Sequence, residues 1–356
     1  MTGRVYLDWN ATAPLRPEAR AAVVAALDLM GNPSSVHAEG RAARGLVEAA
    51  RADVAALVGC RAAEVVFTSG ATEAAGVLSG LPEGCNVFVD AAAHDCLMAH
   101  MRLNGTAPAG HTLAMGLANS ETGVITEPPQ KGAGGYAFGA RLADWLLLDV
   151  VQAVGRVPFA FSWSGADLAI LSAHKIGGPK GVGALIVRQG LDISTLRPGG
   201  GQEMGRRSGT ENVAGIAGFG AAARATMVDL DRGVWSGVAA LRDRLEARIL
   251  AASSETIVVG CEGPRLPNTS CLVTPGWKGE TQVMQMDLAG YAISAGSACA
   301  SGKVKSSRVL QAMGFDAADA SSAIRLSLGP ATTEADVDGF VEAWVGARAR
   351  QRGRAA

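Results

Sequence analysis

The sequence predicts an α/β protein built around a largely parallel sheet. Short, nearly continuous apolar runs, such as those at 64–69 and 144–149, alternate with longer segments whose apolar residues recur at helical spacing. Such runs are typical of strands buried on both faces, and the alternation favours parallel strands connected by helices. A chain of 356 residues is long enough for a large domain and a smaller one.

These patterns predict the elements in chain order. Helical spacing predicts helices over 17–30, 38–58, 214–250 and near 279–290. Apolar runs predict strands over 64–69, 85–91, 144–149, 166–175, 181–188, 256–260, 269–275 and 323–329. The stretch 111–119 is ambiguous, and 70–81 is predicted to be a turn that opens a helix.

A glycine interruption near 233 marks the predicted boundary between two domains. We predict a large domain over 13–232 with helices on both faces of its sheet. A smaller α+β domain is predicted from 1–12 together with 233–356.

Composition narrows the class of partner. The net charge of −1 gives no electrostatic reason to expect binding to nucleic acid or to an anionic membrane. We find no apolar stretch near the roughly 20 residues of a membrane span, and no apolar run of a secretory signal at the start. The six cysteines lack CxxC spacing, so we expect no metal site, no disulfide framework and a reducing cytoplasm.

Polar residues at predicted strand ends are the candidates for chemistry. Ser69, Asp149, Gln152 and Lys175 all follow apolar strands, and ligands gather at the carboxyl ends of parallel strands. Lys175 precedes "IGGPKG", where glycines permit close backbone approach. A desolvated lysine amine is suited to Schiff-base formation, but a solvent-exposed surface charge is the more usual state of a lysine.

Asp149 and two further candidates, Thr72 and His94, have alternatives that the sequence leaves open. Asp149 ends a buried strand, where it could pair with an arginine or with the pyridinium nitrogen of a cofactor. Thr72 in "TSGATE" lies at a helix start, where it could bind phosphate or only cap the helix. His94 has a functional role only if it stacks on a cofactor ring.

Two candidates lie in the predicted smaller domain. Cys299 lies in "SAGSACASG", a run of small residues in which it could be a reactive thiolate or an ordinary free thiol. Arg325 is flanked by apolar residues in a predicted strand and needs an anion. That anion could be a substrate carboxylate or an internal ion-pair partner.

Taken together, these residues lie in motifs that resemble the cysteine desulfurases, a group of class V aminotransferases. The motifs span nearly the whole chain: "YLDWNATAP" (6–14), "GNPSSVH" (31–37), "VVFTSGATE" (65–73), "SAHKIGGPKGVGAL" (172–185), "RSGTENV" (207–213), "SAGSACAS" (294–301) and "IRLSLG" (324–329). The resemblance implies a fold-type I enzyme that uses pyridoxal 5′-phosphate. The spacing after "GSACAS" is similar to that of the long-loop group.

The resemblance also implies a role for each candidate. Lys175 would hold the cofactor covalently, and Cys299 would take sulfur from L-cysteine as a persulfide, leaving L-alanine. The other implied cofactor-binding residues are Ala71, Thr72, His94, Asn119, Ser120, Asp149, Gln152, Ser172 and His174. Thr210 would bind the phosphate of the other subunit of a homodimer, while Arg325 and Asn32 would hold the substrate carboxylate.

The sequence departs from the family pattern at three places. Ser120 stands where the family usually has asparagine, and the segments between 94 and 119 and between 123 and 144 are shorter than usual. Little sequence follows the last helix, where related enzymes dock an iron–sulfur scaffold, so the sulfur-accepting protein stays open. The alternatives are a selenocysteine lyase, a second-group desulfurase, or a non-catalytic sulfur-assembly partner.

Overall fold

The structure, a computed structural model, describes residues 3–296 and 306–355. Its strands are β1 (Val5–Tyr6), β2 (Val65–Thr68), β3 (Val87–Val89), β4 (Thr112–Gly116), β5 (Lys131–Gly132), β6 (Gly135–Phe138), β7 (Arg141–Ala143), β8 (Trp145–Asp149), β9 (Leu168–Ser172), β10 (Gly183–Val187), β11 (Ile257–Val258), β12 (Thr269–Val273), β13 (Tyr291–Ala292), β14 (Ser294–Ala295) and β15 (Ala323–Ser327). Its helices are α1 (Pro17–Leu27), α2 (Ala38–Val58), α3 (Ala71–Ala75), α4 (Asp95–Met98), α5 (Val213–Asp231), α6 (Val234–Ala252), α7 (Gly279–Leu288), α8 (Arg308–Ala312), α9 (Ala317–Ser321) and α10 (Glu334–Ala355).

The chain divides into two compact units. The large unit comprises 13–117 and 126–231, and the small unit comprises 1–12, 118–125 and 232–356. The sequence analysis had assigned 118–125 to the large domain, which differs from this division. Backbone contacts explain the difference, because Ile125 N–H donates to Pro264 O at 2.9 Å and Leu266 N–H donates to Gly123 O at 2.7 Å.

The large unit is built on a six-stranded sheet with the order β2-β10-β9-β8-β4-β3. Strand β10 is antiparallel to both neighbours, and the other adjacent strands are parallel. Alternate residues face opposite sides, so Ala169 and Leu171 join one apolar cluster while Leu168 and Ile170 join another. The predicted fold class, a mostly parallel sheet with helices, is therefore confirmed.

Helix α5 has the length and apolar composition of a membrane span, so the expectation that no stretch approaches one was wrong; half of its apolar segment is buried. It packs against α1 and α2 within the large unit. A Cβ on its Gly220 would lie 2.7 Å from Ala50 Cα, so glycine permits this close approach. These contacts are typical of the core helix of a globular protein.

The two segments expected to be short carry little helix. Between 94 and 119 the one α-helix is α4, and 123–144 carries instead the antiparallel hairpins of β5, β6 and β7. The ambiguous stretch 111–119 contains strand β4, which pairs in parallel with β3 and β8.

The small unit contains a four-stranded sheet with the order β11-β12-β15-β14. Its core includes Trp277, Phe340 and Trp344, each at most 2% exposed, from α10 and the segment before α7. Strand β1 pairs with β13, and this pairing attaches the N-terminal segment to the small unit.

Candidate active site

One edge of the large sheet gathers several of the predicted residues. Asp149, the last residue of β8, pairs in register with Gly116 of β4 and Ile170 of β9. Ser172 ends β9, and Lys175 follows it in a short 3₁₀ turn. The carboxyl ends of these parallel strands meet at the same edge, where α/β proteins bind ligands.

Asp149 is buried, and its surroundings act on its charge in opposite directions. Burial raises the pKa of the Asp149 carboxyl, while the Val151 N–H bond and the charges of His94 and Lys175 lower it. The Val151 N–H donates to Asp149 Oδ1 at 2.9 Å. The structure thus brings His94 and Lys175 within electrostatic range of Asp149.

The turn that carries Lys175 is held by backbone hydrogen bonds. Ala13 N–H donates to His174 O at 2.9 Å, and Gly178 N–H donates to Ala173 O at 2.9 Å. Burial, together with the charges of Lys175 and Lys180, lowers the pKa of His174 to about 4. His174 is therefore neutral at pH 7, so one ring nitrogen can donate a hydrogen bond and the other can accept one.

The predicted phosphate loop lies beside the end of β9. Gly70 adopts φ +156°, and a Cβ there would lie 3.9 Å from Ser172 Oγ. A Cβ on Gly183 would lie 2.7 Å from Gly70 Cα, so this loop approaches β10 too closely for a side chain. Ala71 and Thr72 open α3 at this point, and Thr72 is exposed.

Glu73 links this loop to the segment that carries Thr210. Its carboxylate accepts from Ser69 N–H at 2.6 Å, from Arg207 Nε at 3.1 Å and from Arg197 Nε at 3.3 Å. Although partial burial raises it, the bonds from Arg207 and Ser69 lower the pKa of Glu73 to about 2. Thr210, three residues beyond Arg207, is exposed.

Three other predicted residues of the large unit differ in their contacts. His94 is exposed, and its Nδ1 accepts from Cys96 N–H at 3.1 Å, so it caps α4. Gln152 is buried, and its side-chain oxygen accepts from Arg156. Asn32 is exposed and accepts from Ser34 N–H at 2.9 Å.

The small unit holds the remaining predicted residues. Arg325 is 4% exposed, and its Nη2 lies 2.7 Å from Asp8 Oδ1, so it has an internal ion-pair partner. Its Nη1 donates to Ser120 O at 3.0 Å. The Asn119 amide oxygen accepts from Glu121 N–H at 2.8 Å and shapes the local turn. Cys299 lies outside the described residues.

Sequence reasoning missed three residues that organise these sites. Glu73 and Asp8 stand inside the motifs "TSGATE" and "YLDWN", but neither was singled out. Arg156, 4% exposed, donates to the backbone and side-chain oxygens of Gln152 and, at 3.5 Å, to Lys175 O. Residues 152–156 form turns rather than a helix, so no helical spacing in the sequence signalled that contact.

Most of the chain matches one known protein family. The family model described as aminotransferase class-V matches residues 5–98 and 103–340. The chain belongs to the class-V aminotransferase family. This membership confirms the resemblance on which the roles of the strand-end residues were predicted.

Among class-V aminotransferases, the chain is similar to cysteine desulfurases over nearly its full length. The cysteine desulfurase of Cereibacter sphaeroides is 39% identical over 372 residues, with 95% of this chain and 94% of that protein covered. The IscS-like cysteine desulfurase of Mycobacterium tuberculosis is 35% identical, with 98% and 97% covered. The X-ray structure of a NifS-like protein from Rickettsia africae superposes with a TM-score of 0.82 at 28% identity, with 96% and 98% covered.

Pyridoxal 5′-phosphate is the cofactor that this family implies, and the residues of the large unit fit it. The observation that tests this fit is the buried carboxyl of Asp149. Burial raises its pKa, and nearby positive charge lowers it. A cationic ring nitrogen beside this carboxyl would favour its ionised form. The Lys175 amine lies within electrostatic range of that carboxyl, and the Gly70 loop packs so closely on β10 that Gly183 has no room for a side chain.

Proposed function

We propose that the protein is a cysteine desulfurase, which converts L-cysteine to L-alanine and leaves the sulfur as a persulfide on Cys299. The observation that carries the proposal is the group of Lys175, Asp149 and His94 at one edge of the large sheet. It is supported by the similarity to relatives named cysteine desulfurase.

The large unit would hold the cofactor through side chains of three kinds. Lys175 would bind it covalently, Asp149 would pair with the ring nitrogen and His94 would stack on the ring. Neutral His174 would donate a hydrogen bond to the cofactor phosphate. Ala71, Thr72 and Ser172 would complete the phosphate-binding residues. Bound there, pyridoxal phosphate supplies an electron sink for the substrate Cα.

The chain's own residues would move the protons. Lys175 Nζ, displaced by the amino group of the substrate, would accept the Cα proton and later return a proton to the product. Asp149 would stay ionised and keep the ring nitrogen protonated. Gln152, positioned by Arg156, would approach the ring hydroxyl.

The sulfur step balances with no added oxidant. The Cys299 thiolate attacks the substrate sulfur, an S–S bond forms, and the C–S bond to the substrate Cβ breaks. The Cβ gains a proton and leaves as L-alanine, while Cys299 keeps the persulfide. Because the electrons of the C–S bond end in the new C–H bond, L-cysteine and one thiol give L-alanine and one persulfide.

We also propose a homodimer, a binding site for the substrate carboxylate and a sulfur-accepting protein. The exposed Thr210 would reach the phosphate of the other subunit in a homodimer, and Arg325 with Asn32 would hold the substrate carboxylate. Sulfur would pass from Cys299 to an accepting protein such as an iron–sulfur scaffold in the cytoplasm.

Reconstitution tests the proposal. The purified protein, incubated with pyridoxal phosphate, should gain visible absorbance and should release alanine and sulfide from L-cysteine in the presence of a thiol reductant. Lys175→Ala should abolish the absorbance and the activity, whereas Cys299→Ser should keep the absorbance and lose sulfide release. Wild-type protein that never gains the visible absorbance would overturn the proposal that the protein is a pyridoxal phosphate enzyme. Activity with L-selenocysteine alone would identify a lyase instead.

A further inference from the structure

The Arg325 guanidinium is only partly satisfied by the residues around it. Its Nη2 donates to Asp8 Oδ1 at 2.7 Å and its Nη1 to Ser120 O at 3.0 Å. Its Nε is buried and has no hydrogen-bond partner among the described residues. A guanidinium carries five N–H donors, so Arg325 retains capacity for a further anion.

Asp8 is held against Arg325 by the backbone. Trp9 N–H donates to Ser327 O at 3.1 Å and Ser327 N–H donates to Leu7 O at 2.8 Å, so the residues on both sides of Asp8 are tied to β15. The other carboxylate oxygen, Asp8 Oδ2, accepts from Ser294 Oγ at 2.8 Å. Ser294 lies directly opposite Arg325 in the β14–β15 register.

The Asp8–Arg325 pair determines the electrostatic environment of any further anion that binds Arg325. The Arg325 side chain is 5% exposed and that of Asp8 is 16% exposed, so solvent screens the pair only weakly. A second carboxylate approaching Arg325 meets a neutral pair and is repelled by Asp8. The Ser294 hydroxyl disperses part of the Asp8 charge and thereby weakens that repulsion.

We propose that Asp8 is a specificity-determining residue, which competes with the substrate carboxylate for Arg325 and keeps simple anions off the site. The inference rests on the proposed function, because it concerns the carboxylate of that substrate. A free monocarboxylate must displace Asp8 unaided. A substrate whose amino group is held elsewhere competes at high effective concentration.

Asp8→Asn tests the competition, because asparagine keeps the shape and the acceptor oxygen but removes the charge. KM for L-cysteine should fall by at least about fivefold, the lower end of usual coupling between two ligands, with kcat little changed. Acetate, used as the probe, should become an inhibitor competitive with L-cysteine. A KM that is unchanged or raised would overturn the proposal.

Ser294→Ala should act in the opposite direction. Without the hydroxyl, Asp8 concentrates its charge on Arg325, so KM should rise by about two- to threefold. This variant keeps the proposal falsifiable if Asp8→Asn fails to fold, because an unchanged or lower KM would contradict it. Asp338→Asn is the matched control, since Asp338 pairs with Arg244 at 2.7 Å and should not alter KM.

A readout that needs no turnover separates this inference from the proposed function. Acetate should raise the melting temperature of the Asp8→Asn protein more than that of the wild type, because Arg325 then lacks its own counter-charge. If the wild type makes no alanine, the proposed function fails while this measurement still tests Asp8. Equal acetate shifts in the two proteins would overturn the role of Asp8.

Discussion

At Asp149, burial and charge act in opposite directions on one carboxyl group. Burial raises its pKa, and His94, Lys175 and the Val151 N–H lower it. A carboxyl in this balance gains from one more positive charge, and that is the requirement for a partner of a pyridinium nitrogen.

Replacing Asp149 tests that role. Asp149→Asn keeps the shape but cannot stabilise a protonated ring nitrogen, so kcat should fall by about 100- to 1,000-fold, as when one preorganised electrostatic contact is lost. Steady-state alanine formation measures it, with cofactor content checked by absorbance. Full activity in a cofactor-loaded variant would show that Asp149 has no electrostatic role.

His174 gives a prediction about acid stability. Burial and two nearby lysines lower its pKa to about 4, whereas an unfolded histidine titrates near 6.5. Between these values the unfolded chain binds a proton that the folded chain does not, so stability falls as pH drops from 6.5 towards 4. Urea denaturation of the cofactor-free protein should show that the unfolding free energy of His174→Gln changes less with pH than that of the wild type. Parallel slopes for the two proteins would contradict it.

At the scale of elements, the segment 199–209 is attached to α2 by a buried ion pair and to the backbone of strand β2 by a hydrogen bond. Glu203 accepts from Arg51 Nη1 at 2.7 Å, from Arg51 Nη2 at 2.8 Å and from Phe67 N–H at 2.8 Å. Glu203 and Met204 adopt φ +49° and +57°, values that are uncommon outside glycine. The ion pair therefore holds a strained backbone beside β2.

Breaking this pair should destabilise the fold strongly. Glu203→Gln leaves the buried Arg51 without its main counter-charge, so the free energy of unfolding should fall by about 3–5 kcal/mol. Urea denaturation measures the loss. Asp338→Asn, which breaks a more exposed pair with Arg244, is the control and should leave stability nearly unchanged. Equal effects of both variants would rule out the buried pair as the anchor.

Sequence patterns predicted an element well where its apolar periodicity extended over many residues. They did not reveal contacts between residues that are far apart in sequence. Helix α2 begins and ends as predicted at 38–58, because a glycine at 59 in the left-handed region ends it. The helix predicted over 17–30 ends at Leu27, and nothing in its apolar spacing marks that end. The compact units differ from the predicted domains over 118–125, whose backbone partners, such as Pro264, are far away in sequence.

At the scale of the whole molecule, the family and the fold were predictable because their motifs extend along nearly the whole chain. The contacts of the sites were less predictable. The Asp8–Arg325 pair joins residues 317 positions apart, and Glu73 contacts Arg207 across 134 positions. Only folding brings such charges together, so a single sequence leaves several partners open for each one.

The persulfide on Cys299 is the central claim, and mass spectrometry tests it most directly. Cofactor-loaded protein, given L-cysteine without reductant, should gain the mass of one sulfur atom, with one alanine formed per sulfur retained. Peptide mapping should locate that sulfur on Cys299, and Lys175→Ala should gain none. Alanine formation with no added sulfur on Cys299, or with sulfur retained in the Cys299→Ser protein, would contradict the account.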